Sequence, residues 1–185
     1  MNVFVLNENP NSAAVAQCDK HVVKQPLESS QMLCTAHRVC DGHRIKAPSG
    51  SGKTMRWQYF IKDDRNDILY KAAHENHPCS IWTRESTDNY MWHYEHFVAL
   101  CREYKYRYGR EHASFTQLGE ILKTPPKRLK RGPMTPFAIA MGAQPQCIHT
   151  GEPVKSYREY YMTKQSQFDM KWTNRQIPEW FKIAV

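Results

Sequence analysis

The longest coherent pattern of apolar positions lies between residues 87 and 108. Tyr90, Tyr94, Phe97, Cys101, Tyr104 and Tyr108 follow one another at intervals of 4, 3, 4, 3 and 4, which puts all six on one face of a helix. The stripe reads as core, with base stacking as the alternative use of any one ring. Ser86 or Thr87 can cap the start of this helix. Gly109 stops it, because glycine enters the left-handed cap conformation without a Cβ penalty. Pro78 opens a short helix just before it.

Elsewhere the pattern is weaker. Residues 2–6, NVFVL, form a β-prone run closed by the turn-rich NENPN. Ser12 then caps a helix through SAAVAQCDKHVVK, which Pro26 kinks or breaks before it restarts toward Val39. Asp41-Gly42 ends it, and the polar stretch 42–56 reads as a basic loop. A helical pattern resumes near Trp57 and runs toward Ala73. Further helices are expected at 114–122 and at about 154–168, separated by a proline-rich irregular region over 123–153. The predicted class is mainly α: a single compact helical domain with two loop insertions, 42–56 and 123–153, and an aromatic C-terminal tail.

Charge then narrows the partner. The 185-residue chain has 26 Lys and Arg against 18 Asp and Glu, a formal net charge of +8. Such an excess favours a polyanion, with DNA first, a small nucleotide also admissible, and a soluble basic protein as the bland reading. No apolar run is long enough to cross a membrane. The N-terminus has no basic region ahead of its short apolar run, so it does not read as a secretion signal. The six cysteines lie apart without C-x-x-C pairs, as expected of reduced thiols in a cytoplasmic protein.

The stretch APSGSGKT, residues 47–54, has the loose form of a phosphate loop. Such a loop needs a buried strand before it, a helix after it and an acidic partner for magnesium. The preceding VCDGHRIK is polar and basic, and no strand ending in an acidic residue follows. Arg44, Lys46, Lys53 and Arg56 read instead as contacts to a phosphate backbone. Cys34, His37, Cys40 and His43 recur every third residue, but each such step turns a helical side chain by about −60°, so four ligands fan apart. They do not converge on one zinc ion. Neither metal nor cofactor is expected.

Candidate chemistry lies on the first long helix, where His21, Lys24 or Gln25, and Glu28 share a stripe. An imidazole and a carboxylate at this spacing can cooperate in acid–base work, and a surface salt bridge is the plainer use of the same residues. Asp19 and Lys20 point elsewhere and read as solvated. Asn76, His77, Arg84 and Tyr90 line a candidate pocket at the junction NHPCSIWTRESTDNY. Tyr157, Arg158, Lys164, Trp172 and Arg175 mix cations with aromatic faces in the last third, a mixture that holds phosphates and stacks bases. The run Lys127, Arg128, Lys130 and Arg131 adds a phosphate-contact candidate.

The stretch CDKHVVKQPLESSQML resembles the active-site helix of the phage pyrimidine-dimer DNA glycosylases with apurinic-site lyase activity, small basic helical enzymes. ALCREYKYRYG resembles that family's second major helix, and RQIPEWFKIAV its aromatic tail. The resemblance implies Glu28 as the catalytic carboxylate and His21 as a DNA or substrate contact. It further implies the chain's α-amine, here that of Met1, as a nucleophile toward deoxyribose C1′, and action inside a phage-infected bacterial cell. The chain is also similar to phage proteins of unknown activity that carry CDKHVVK and NHPC..W.R segments. The alternatives are a non-catalytic accessory or counter-defence protein that binds nucleic acid or nucleotide, and a base-modifying transferase on the same scaffold.

Overall fold

A computed structural model describes residues 2–49 and 51–183. The fold is helix-rich and carries one small antiparallel sheet. Its elements are α1 (Pro10–Val15), α2 (Asp19–Asp41), β1 (His43–Pro48), β2 (Met55–Phe60), α3 (Arg65–Ile68), α4 (Pro78–Thr83), α5 (Thr87–Tyr108), α6 (Ala113–Leu122) and α7 (Pro153–Met162). Single 3₁₀ turns lie at Pro145–Cys147 and Thr163–Ser166.

The α5 helix has the predicted bounds. The Ser86 side chain accepts the Asn89 N–H at its start, and Gly109 takes a left-handed φ of 70° at its end. Within the aromatic stripe, Tyr90, Phe97, Cys101 and Tyr104 are buried while Tyr108 is exposed.

At the other end of the chain, Asn9 rather than Ser12 is the first cap, accepting the N–H groups of Asn11 and Ser12. That first helix stops at Val15, and α2 begins separately at Asp19. Pro26 does not break α2, which continues for 23 residues with 14 of them buried. Proline there costs one ladder bond, and burial against α4, α5 and α6 offsets it. Residues 2–6 are buried, but they form no strand and join no sheet among the described residues.

The region expected to be a basic loop followed by a helix is a β-hairpin. Its register pairs Arg44 with Tyr59, Lys46 with Trp57 and Pro48 with Met55. These six therefore share one face, and β-branched or aromatic residues such as Ile45, Trp57, Tyr59 and Phe60 suit the paired conformation. The polarity that argued against a strand here reflects exposure on both faces. Of APSGSGKT, Ala47 and Pro48 end β1, and at the hairpin's tip the Ser49 N–H donates to Thr54 O at 2.7 Å and Gly52 takes φ 70°. Between 57 and 73 only α3 is helical.

Arg38, with no exposed surface, ties the hairpin to α2. It donates to Tyr59 O at 3.0 Å, Asn66 O at 2.8 Å and Leu69 O at 2.6 Å, and also to Tyr70 O. Beside it Gly42 lies so close to β2 that a Cβ would collide with Arg38 O and press on Phe60 O at 3.1 Å.

Region 123–153 is irregular, as predicted, yet firmly attached. Asp41 accepts the N–H groups of Lys127 and Arg128, both at 2.9 Å. Asn89 exchanges two hydrogen bonds with Thr135. The tail is held similarly. Asp19, expected to be solvated, pairs with Arg107 at 2.8 Å and accepts from both the N–H and the hydroxyl of Thr173. Glu103, buried, receives both Arg107 and Arg175.

Candidate active site and basic hairpin cleft

Two clefts concentrate the chemistry. The smaller, about 430 Å³, has α2 as one wall and is lined by Asn2, Phe4, Lys20, His21, Lys24, Gln25, Glu28, Tyr160, Lys164, Gln167 and Phe168. The helical stripe aims His21, Lys24 and Glu28 into it, since residues three and four apart lie one above another. Glu28 accepts from Gln25 Nε2 and pairs with Lys24 Nζ, each at 3.0 Å.

His21 packs against Phe4, Tyr161 and Phe168. Burial lowers its pKa to about 4, with Lys164, Lys24 and Lys20 adding to the effect. The ring is therefore neutral at pH 7. Its Nδ1 lies 2.6 Å from the Tyr161 hydroxyl, which already accepts the Cys18 N–H at 2.9 Å. The same hydroxyl donates to Cys18 Sγ at 3.3 Å, and that sulfur lies 3.4 Å from His21 Nδ1, so the three groups form one buried cluster. Lys164 donates to the Tyr160 hydroxyl at 2.9 Å and sits over that ring, and Lys20 lies 4.1 Å from the Phe168 centroid. The site thus sets one carboxylate and one neutral imidazole among three cations and three aromatic faces.

Of the predicted site residues, the structure brings together His21, Lys24, Glu28 and Lys164. Met1 lies outside the described residues; its neighbour Asn2 lines the cleft. His77 stands close by. Its Nδ1 caps α4 by accepting the Cys79 N–H at 3.2 Å, and burial lowers its pKa while the Glu28 carboxylate pulls it the other way. Asn76 is exposed.

Several expected ligand contacts are instead structural. Tyr90 is fully buried, donating to Leu122 O at 2.8 Å, and Tyr157 is equally buried, donating to Ala138 O at 2.8 Å. Trp172 is buried and donates to Ala16 O at 3.0 Å. Arg158 binds Leu6 O at 2.9 Å beneath Trp180. Arg175 spends its guanidinium on Glu103 and the Tyr106 ring. Their sequence pattern looked like a ligand surface because cation–aromatic mixing also builds cores.

Phe4, Lys20, Tyr160, Gln167 and Phe168 were missed. Tyr160 and Lys164 carried a signal, an aromatic–cation pair four residues apart on a helix. The others arrive from separate segments.

The larger cleft, about 580 Å³, lies between the hairpin and residues 71–75, lined by Arg44, Arg56, Trp57, Tyr59, Lys71 and His74 among others. Lys46 borders it over Trp57, whereas Lys53 lies in the tip turn. Lys127, Arg128, Lys130 and Arg131 are exposed; Lys127 and Arg128 lie at the end of α2, where Arg128 also donates to Gly42 O at 2.9 Å, and Lys130 O accepts the Thr87 N–H at the start of α5. Cys34 and His37 face the interior, and His37 bonds Tyr90 and Arg65.

Fold and sites together describe a helix-rich basic protein with a lysine-ringed carboxylate cleft. No known family model, no curated protein and no solved structure matches the chain. Among the described residues, no helix is long and apolar enough to cross a membrane.

Proposed function

We propose that the chain acts on DNA at the α2 cleft and removes or alters a base, in the manner of a DNA glycosylase with lyase activity. The observation that carries this reading is the meeting of Glu28 and neutral His21 with Lys20, Lys24 and Lys164 in one open cleft. The lysines supply the phosphate-holding charge. In base removal the C1′–N bond breaks, its electron pair leaves with the base, and the base takes up a proton. The electron-poor C1′ is stabilised by the Glu28 carboxylate, and a nucleophile's lone pair forms the new bond at C1′. A water nucleophile gives an abasic sugar. An amine gives an imine after the sugar ring opens, and β-elimination then breaks the C3′–O bond.

Glu28→Gln tests the reading. Base release from damaged or modified DNA should fall by about 100-fold or more, with the melting temperature preserved, because glutamine keeps the shape and still accepts from Gln25 Nε2, while the Lys24 partner is 64% exposed. Undiminished release would overturn the assignment. A second reading, binding without catalysis, is favoured by the way Lys24 and Gln25 already satisfy Glu28. It predicts salt-dependent DNA binding and no product.

A further inference from the structure

The hairpin cleft lies apart from the α2 cleft and shares no lining residue with it. We propose that it is a second nucleic-acid site, a stacking platform for an unpaired stretch of DNA. Trp57 is the largest side chain on the cleft face of β2 and is 58% exposed. A tryptophan in that state on a two-stranded hairpin contributes little to a core, so packing does not account for it.

The cations around it are placed for a polyanion. Arg44 lies 5.3 Å from the Trp57 centroid and 5.8 Å from that of Tyr59, and Lys46 lies 5.9 Å from Trp57. Arg56 and Lys71 complete the rim, against Glu75 as the one carboxylate in the lining. Arg84 lies within electrostatic reach of the Tyr59 hydroxyl, which is bonded to Glu75, and its Nη1 is buried without a hydrogen-bond partner among the described residues. The combination of an exposed indole with guanidinium and ammonium groups over its ring binds a base by stacking and its phosphates by charge.

The platform is also rigidly mounted. Arg38 anchors the base of β2 through Tyr59 O, and the opposite wall is fixed by Thr35, whose hydroxyl accepts the Ala73 N–H at 3.0 Å and donates to Gln31 O at 2.8 Å. In that wall His74 holds a left-handed φ of 51°, a strained conformation for a non-glycine residue. A duplex keeps its bases stacked inside, so the geometry favours an unpaired strand. The proposal needs only an unpaired base and stands whether or not Glu28 performs chemistry.

The test is fluorescence anisotropy with a labelled oligo-dT strand and with a blunt duplex, on the full chain and on Trp57→Ala and Trp57→Phe. Single-strand affinity should fall about tenfold or more in Trp57→Ala and stay within about threefold in Trp57→Phe, which keeps an aromatic face. Duplex affinity should change less than single-strand affinity in Trp57→Ala. Unchanged single-strand binding in Trp57→Ala would overturn the proposal. So would an equal loss on duplex, or an acidic peptide bound with the same Trp57 dependence. Base release at Glu28 is read separately, so failure of either assay leaves the other result intact.

Discussion

Lowering the pH from 7 to 5 should cost this protein several kcal/mol of stability, because four histidines are buried in the neutral state. Burial lowers the pKa of His21 and His37 to about 4 and of His93 and His96 to about 3. Specific bonds hold His37 and His93 in that state. His37 Nδ1 accepts from Arg65 Nη1 at 3.0 Å and Nε2 donates to the Tyr90 hydroxyl at 2.8 Å, so a second ring proton would face a guanidinium N–H. His93 Nδ1 donates to the Thr83 hydroxyl, leaving Nε2 buried without a partner among the described residues.

In the unfolded chain each ring takes up a proton near pH 6.5. A folded pKa below the unfolded one gives stability that is complete above 6.5 and lost as the pH falls toward the folded value. At pH 5 the loss is ~2 kcal/mol per histidine, or ~8 kcal/mol if all four add. Typical domains hold only about 5–15 kcal/mol. The carboxylates of Asp19, Asp41 and Asp63, held below their ordinary range by hydrogen bonds and arginine partners, lose their contribution only below the usual Asp range. The interval from pH 7 to 5 therefore isolates the histidines. Urea unfolding followed by tryptophan fluorescence at pH 7, 6 and 5 measures the slope. A change of less than about 2 kcal/mol across that interval would refute the reasoning.

Two substitutions probe the hairpin mount. Arg38→Met keeps the bulk but leaves the carbonyls of Tyr59, Asn66 and Leu69 without their donor; a loss of about 3–5 kcal/mol in urea unfolding is expected, with faster amide exchange across 43–60. Gly42→Ala adds a methyl against the carbonyl oxygens of Arg38 and Phe60, which should cost about 1–3 kcal/mol in the same measurement, while wild-type stability would contradict that close approach.

Elements whose cause is local are readable along the chain. The α5 helix was legible because its apolar interval, its serine cap and its terminal glycine all lie within 86–109 and agree. The His21–Glu28 stripe was legible for the same reason, since helical geometry alone puts those side chains together. The other elements depend on contacts between distant segments. Whether Pro26 breaks its helix depends on burial supplied by distant helices. The hairpin's polar strands exist because Arg38 and the cross-strand ladder hold them, and no apolar alternation announced them. Tyr90, Tyr157, Trp172 and Arg175 have the composition of a ligand surface, yet they became core when partners from elsewhere in the chain took up their polar atoms. The α2 cleft depends in the same way on Asn2, Phe4, Tyr160, Lys164 and Phe168 closing around a helix that lies far from most of them in sequence. Hydrogen bonds and packing between distant segments have no period along the chain, so pattern alone does not reveal them.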